Sequence, residues 1–435
     1  MSNELSKDTH TESHSAQYVR EYSFRSALMS LTVLFFMWGF ITSLNDILIP
    51  YLKKLFLLSY TQAMLVQLCF FGAYFVVSIP AGHLCKKLGY QRGIVIGLAL
   101  SAVGGLLFYP AASVVSYGLF LSALFVLASG ITILQVAANP YVTALGSEET
   151  ASGRLTMTQA FNALGTTIAP FFGGLLIFGA VSHSTEVTAL GSPADAVKLP
   201  YLLIAGTLLA LSFIFYKLKL PDITSHSAEK RSADNSRLFD HPHLILGAIG
   251  IFLYVGAEVS IGSFLINFFT DPQIGNMTEK VAANLIAYYW GGAMLGRFLG
   301  ASIMHFVPAR FCLVFCSLMV TILIALSIQL NGNMAMYSIL AVGLFNSIMF
   351  PTIFSLALTG LKSLTGQGSG LLCLAIVGGA IVPMLQGVAA DSFGLQQSFW
   401  VPLLCYLFVG FYGLKGATMI AWNQSAQHNS RTHQL

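Results

Sequence analysis

A chain of 435 residues with 56% apolar and only 9% charged residues, and a mean hydropathy of +0.75, carries too few charges to cover a water-soluble surface of that size. Its net charge of +4 is too small and too scattered for a nucleic-acid partner. Six cysteines (Cys69, Cys85, Cys312, Cys316, Cys373 and Cys405) sit in or beside apolar stretches as small hydrophobes, and no further ligand completes a zinc pattern around Cys312 and Cys316.

Residues 1–25 are polar, mixed in charge and rich in Ser and His, unlike a cleaved leader, so the first span is expected to stay in the mature protein. Apolar stretches of the length needed to cross a bilayer follow at 26–51, 62–84, 93–111, 117–142, 156–180 and 199–219. A second set lies at 243–269, 281–306, 310–330, 334–360, 366–390 and 397–420. The chain therefore reads as an all-α integral membrane protein of twelve transmembrane helices in two six-helix bundles, 26–219 and 243–420. A polar linker at 220–242 joins them, and tails at 1–25 and 421–435 complete the chain.

With the N-terminus inside, 16 Lys and Arg fall on the inner side and 4 on the outer, with Arg297 left within a span, which places both termini in the cytoplasm. The halves repeat each other. Gly165, Pro170 and Gly174 in span five match Gly378, Pro383 and Gly387 in span eleven at an offset of 213, and Pro140 matches Pro351 at 211. Each Gly or Pro alone is ordinary membrane-helix packing; the matched spacing points to broken, closely packed helices around a central site.

Charged groups at membrane depth are costly unless paired or wetted, and this chain keeps Asp46, Glu258 and Arg297. They make it a candidate ion-coupled transporter. Asp46, next to Asn45, is the candidate cation-coupling group; the rival reading is an interfacial acid neutralised by Lys53. Glu258 reads as a ligand acceptor, a cation ligand or the partner of Arg297, and Arg297, between Gly296 and Gly300, as a gating or packing residue. Gln135 and Asn139 share one helical face, as do Gln159 and Asn162, while Gly256, Ser260, Ser263 and Asn267 form a stripe on span seven. Amides and carboxylates both donate and accept, which is what a polyhydroxylated ligand demands, although such pairs also glue helices together. Trp38, Tyr288, Tyr289 and Trp290 lie within spans and offer faces for a sugar ring or for the membrane interface. Among them Trp38 and Tyr288 are selected as sugar contacts. The basic loop of Lys86, Lys87 and Arg92 either obeys the positive-inside rule or locks onto an acid such as Asp391. No nucleotide loop, metal spacing or catalytic triad is found, so no enzyme is expected.

The segments FITSLNDILIPYLKK, AANPYVTALG, TQAFNALG, YVGAEVSIGSFL, GRFLG, FPTIFSLAL and GGAIVPMLQGVAADSFG resemble, in order, the fucose:proton symporter family of the major facilitator superfamily. That resemblance implies two pseudo-symmetric bundles and alternating access. It further implies a protonatable pair made by the residue matching Asp46 and an acid in span four, with Gln159 and Asn162 lining the sugar cavity. Here the span-four position is Gln135, and Glu258 in GAEVSIGS stands where the fucose carrier has an amide, a pattern closer to the glucose/galactose transporter branch, some of whose relatives use sodium. The implied function is cation-coupled uptake of a hexose, glucose or galactose rather than fucose. The coupling ion is Na+ or H+, tipped slightly to Na+ because Gln135 keeps an oxygen but has no titratable group. No cofactor is implied beyond that ion, and no metal beyond a Na+ site at Asp46. The partners are a small-molecule sugar and membrane lipid, the chain acting as a monomer in a bacterial inner membrane. A proton-coupled fucose or N-acetylhexosamine symporter, a passive facilitator, an exporter and a sensor with a transporter fold are the alternatives.

Overall fold

The computed structural model describes residues 24–43, 60–182, 198–221 and 238–419, which are helical throughout apart from short connections. The helices are α1 (Phe24–Ser43), α2 (Tyr60–Leu88), α3 (Tyr90–Val114), α4 (Tyr117–Ala144), α5 (Ala151–Ser182) and α6 (Lys198–Lys217), then α7 (Pro242–Thr270), α8 (Glu279–Ile303) and α9 (Ala309–Gln329). α10 runs in two pieces, Gly332–Asn346 and Met349–Leu358; α11 runs as Thr365–Leu374 and Gly378–Phe393; α12 runs as Leu395–Ser398 and Trp400–Leu414. Ten of the helical segments are long and apolar enough to cross a membrane, and α5 and α8 complete the twelve. α8 stands apart because Arg297 lies inside it and Glu279 and Lys280 open it. Asn45 and Asp46 lie outside the described residues.

The interior of each bundle is built by small residues at crossings. A Cβ on Gly165 would lie 2.2 Å from the Phe36 carbonyl oxygen, and one on Gly378 would lie 2.0 Å from the Phe252 carbonyl oxygen. The repeat seen in sequence is therefore one contact made twice, α5 on α1 and α11 on α7. Gly378→Val is expected to cost about 1–3 kcal/mol or more, because backbone on both sides must separate. Gly387→Ala, whose Cβ would meet nothing nearer than Phe264 at 3.9 Å, is expected to stay within about 0.5 kcal/mol. Thermal melts of the two purified variants in detergent check the contrast.

Proline gives the second shared device. A proline inside a helix has no N–H for the carbonyl four residues back, so that oxygen needs another donor. Pro140 frees the Val136 carbonyl, which accepts from Ser369 Oγ of α11 at 2.9 Å; Pro351 frees that of Ser347, which accepts from Arg297 Nε of α8 at 3.2 Å. Pro170 frees the Thr166 carbonyl, which accepts from Ser43 Oγ of α1 at 3.0 Å. Each released acceptor becomes a joint between helices.

The connections 88–90, 144–151, 303–309 and 358–365, together with the end of α6 and the start of α7, lie on one face, called here the linker face. Near that face the two bundles close on each other. The hydroxyls of Ser152 (α5) and Ser355 (α10) share a hydrogen bond, Lys86 Nζ donates to Gln367 Oε1 at 3.3 Å, and a Cβ on Gly82 (α2) would sit 2.8 Å from the Gly366 oxygen (α11). Single glycines in the left-handed region, Gly89 at φ 86° and Gly394 at φ 91°, reverse the chain between α2 and α3 and between α11 and α12. A side chain would strain either turn.

Candidate functional site

Deeper than the closed face, polar groups of both bundles converge. Counting from the connection between α4 and α5, Gln135 and Gln159 lie at the same depth, roughly 13 Å in by helical rise, and Asn139 and Thr156 share a level nearer the linker face. Both amide atoms of Asn139, Gln135 Oε1 and Thr156 Oγ1 are buried without a protein partner. Buried amides without partners are rare and call for a ligand, water or a second conformation to satisfy them. Asn139 is fully buried, so a ligand hydroxyl can reach it only after α4 shifts against its neighbours. Asn162 has its Nδ2 committed to the Phe35 carbonyl of α1 at 2.9 Å, which fixes its orientation and turns it partly into a packing residue.

From the second bundle comes Arg297. Side chains on a helix lean toward its N-terminus, which for α8 lies away from the linker face, so Arg297 reaches toward the middle of the membrane. Gly296 and Gly300 bring α8 against the break in α10: a Cβ on Gly296 would lie 2.2 Å from the Leu344 oxygen, and one on Gly300 2.2 Å from Ile348 Cγ2. Its guanidinium donates from Nε to the Ser347 carbonyl at 3.2 Å and from Nη1 to the Gln159 carbonyl of the other bundle at 3.4 Å. Phe161 and Phe298 meet edge to face beside it at 5.7 Å. Arg297 thus links a helix break in one bundle to the amide level of the other.

Glu258 lies just beyond the midpoint of α7, half-buried, with Arg297 as its electrostatic partner and the Tyr254 hydroxyl beside its carboxylate. Around it stands a group that the spacing of residues within single spans did not single out. Tyr254 Oη donates to the Asn346 carbonyl at 3.1 Å, Tyr406 Oη donates to Asn346 Oδ1 at 3.0 Å, and Asn346 Nδ2 donates to Tyr289 Oη at 3.3 Å. All three tyrosines are fully enclosed and Asn346 is 1% exposed. A signal for it was available: the offset of 211 that relates Pro140 to Pro351 carries Gln135 onto Asn346.

Several expected residues fall elsewhere. Trp38 packs inside the first bundle, against Phe35 and beside an apolar cavity of about 20 Å³ shared with Leu98, Leu134 and Leu208, not between the bundles. Tyr288 is 72% exposed and turned away from the cluster that its neighbour Tyr289 joins, since adjacent helical residues point about 100° apart. On the α7 stripe, Gly256 is spent on packing against Val382, Ser260 is buried, and Ser263 and Asn267 are exposed. A lock between Lys86 and Asp391 is ruled out by geometry. Lys86 meets Gln367 at the start of α11, and Asp391, exposed at the other end, lies about 36 Å along that helix. A cavity of about 720 Å³ opens on the linker face among Lys86, Arg92, Tyr141, Thr143, Ser355 and Lys362. It is the vestibule outside the closed contacts and does not contain the amide level.

The comparisons fit this geometry. The family described as Major Facilitator Superfamily matches residues 31–376. The "Glucose/galactose transporter" of Brucella abortus is 56% identical over 94% of this chain and 97% of its own length. The "L-fucose-proton symporter" of Escherichia coli is 36% identical over 86% of this chain and 90% of its own. The solved structure of the transporter FucP "in the outward conformation" superposes with a TM-score of 0.80 at 31% identity, covering 91% of this chain and 99% of that one. Twelve helices in two matched halves, the ordered motifs and these full-length relatives make the chain a member of the major facilitator superfamily, in the family that unites fucose:proton symporters with glucose/galactose transporters.

Proposed function

We propose that this protein is a secondary active symporter that takes up a hexose of the glucose/galactose class together with a cation, sodium being the ion that the neutral oxygens near Gln135 suit. The observation that carries the reading is that Arg297, the electrostatic partner of Glu258, reaches across the bundles to the Gln159 carbonyl behind a closed linker face, at the depth where Gln135 Oε1 is buried without a partner. A neutral polyol satisfies orphaned amides and a carboxylate acceptor where a charged or apolar solute would not. The excess of Lys and Arg makes the linker face cytoplasmic, so the contacts of Ser152 with Ser355 and of Arg297 with Gln159 form the inner gate, shut in this conformation. The names of the full-length relatives support sugar as the solute.

In this reading Asp46 with Asn45 holds the cation. Gln135, Asn139, Gln159, Asn162 and Glu258 contact the sugar, and the bundles rock about the site. Coupling requires that joint occupancy favour rocking more than occupancy by either ligand alone. The test is uptake of labelled glucose, galactose, fucose and N-acetylglucosamine into vesicles under imposed sodium or proton gradients. Accumulation of glucose and galactose above equilibrium with sodium is the expected result. Counterflow without accumulation under either gradient would establish a facilitator instead.

A further inference from the structure

We propose that His83 and Lys86 of α2 and Gln367 of α11 form a proton-sensitive latch on the linker face, which holds the two bundles together while His83 is neutral and weakens when its imidazole takes up a proton. The latch rests on the symporter reading only in that the bundles part at this face.

It stands where α2 and α11 touch backbone to backbone. A Cβ on Gly82 would lie 2.8 Å from the Gly366 oxygen, and one on Gly370 would lie 2.7 Å from the Ser78 oxygen. His83 and Lys86, three residues apart, share a face of α2. Both reach Gln367 across the bundles: Lys86 Nζ lies 3.3 Å from its Oε1, and His83 Nε2 lies 3.1 Å from its Nε2.

The chemistry of the partners fixes every proton in this group. An ammonium only donates, so the Gln367 amide turns its oxygen to Lys86 and its nitrogen to His83. His83 Nδ1 lies 2.9 Å from the Ile79 carbonyl, which only accepts, so Nδ1 carries the hydrogen of the neutral ring. Nε2 is then the acceptor that the amide nitrogen of Gln367 needs. Protonation puts a hydrogen on Nε2 and removes that acceptor. Gln367 now faces a donor on each side, and turning its amide over would serve His83 only by aiming the amide nitrogen at Lys86. In either orientation one of the two bonds between the bundles is lost, and two cations are left one turn apart on α2.

Histidine is the side chain whose ordinary titration falls between pH 5 and 8. The charged groups on the surrounding elements are Lys86 and Lys87 on α2, Arg92 on α3, Lys362 ahead of α11 and Glu148 after α4. Lysine and arginine are of classes that keep their charge in that range, and Glu148 shares no hydrogen bond with the three latch residues. The titratable groups packed behind them, the thiols of Cys85 and Cys373 and the phenols of Tyr74 and Tyr90, are of classes that ionise at higher pH. Acid on the cytoplasmic side therefore shifts the population toward the arrangement open to that side.

The experiment uses the full-length purified protein with spin labels at Glu149→Cys and Ser363→Cys, exposed positions on the linker face in opposite bundles. Cys69 and Cys316, the two native cysteines that are not buried, are replaced by Ala. Pulsed electron paramagnetic resonance reads the label distances at pH 7.5 and pH 6, first without sugar or sodium. In the labelled parent the ratio of open to closed molecules is expected to rise about threefold on acidification, the scale of one neutral hydrogen bond. His83→Gln is expected to hold one ratio at both pH values. In Lys86→Met the charged imidazole can take the amide oxygen that Lys86 no longer occupies, so acid is expected to leave the ratio unchanged or lower it. His83 and Lys86 are exposed, so neither substitution disturbs a core. No rise in the parent, a rise that survives in His83→Gln, or one of parental size in Lys86→Met would overturn the latch. If galactose with sodium moves the labels while acid does not, the latch fails and the symporter reading stands; if acid moves them while no sugar or cation does, the reverse holds. Labels that separate under none of these conditions overturn both.

Discussion

Arg297→Gln is expected to abolish sugar uptake and to destabilise the purified protein by about 3 kcal/mol, and adding Glu258→Gln is expected to recover the stability without the transport. Three things leave with the guanidinium: the donor to the Ser347 carbonyl at the α10 break, the bond to Gln159 across the bundles, and the charge facing Glu258. The last dominates the stability loss, because a carboxylate at membrane depth without its counter-charge carries a desolvation penalty that the neighbouring Tyr254 hydroxyl offsets only in part. Neutralising Glu258 removes that penalty, which is why the double variant is expected to melt near the wild-type temperature. It still lacks the inter-bundle bond and the proposed acceptor for sugar, so flux is expected to stay absent. Arg297→Lys separates the effects further, since an ammonium keeps the charge but cannot serve Ser347 and Gln159 from one planar fork. Thermal melts and vesicle uptake of the four proteins settle the point. A double variant no more stable than Arg297→Gln would show that Glu258 and Arg297 are not electrostatic partners in the folded chain.

Much of this arrangement was legible before any coordinates. The spans follow from apolar runs because the bilayer demands length and hydrophobicity and little else, and helix ends match the expected bounds to within a few residues at Tyr117–Ala144 and Pro242–Thr270. The matched Gly165 and Gly378 were readable because a close helix crossing forbids a side chain at one position in each half. Arg297 between two glycines was readable for the same reason.

What sequence could not supply was direction around a helix. An aromatic residue in a span has many places to go, and Trp38 went to the core of one bundle while Tyr288 went to the surface. The Asn346 cluster draws on α7, α8, α10 and α12, which no spacing within a single span can join. The idea that Lys86 meets Asp391 failed on parity: α11 starts on the linker face, so its last residues must be on the other. The prolines tell the opposite story. Their consequence, a released carbonyl four residues earlier, can be computed from sequence alone, and only the identity of the donor needs three dimensions.

Asp46→Asn is expected to eliminate concentrative uptake while leaving sugar counterflow in place. One positive charge moving down a potential of 100 mV supplies about 2.3 kcal/mol, enough to concentrate a neutral sugar roughly fifty-fold. An Asn at 46 offers an oxygen but no charge, so the cation no longer neutralises anything as the site turns inward and that energy is not delivered. The sugar contacts proposed on α4, α5 and α7 are untouched, so exchange of internal for external sugar is expected to continue, with the steady-state ratio falling to unity. The companion change Gln135→Glu places a second acid at the depth of Gln159, where Gln135 Oε1 is buried without a partner. A carboxylate there is costly when charged and is relieved by a proton, so uptake in this variant is expected to follow an imposed pH gradient more strongly than a sodium gradient. Asp46→Asn retaining full accumulation would remove Asp46 from energy coupling. Gln135→Glu leaving the ion preference untouched would show that the neutral oxygen at 135 has no part in choosing sodium over the proton.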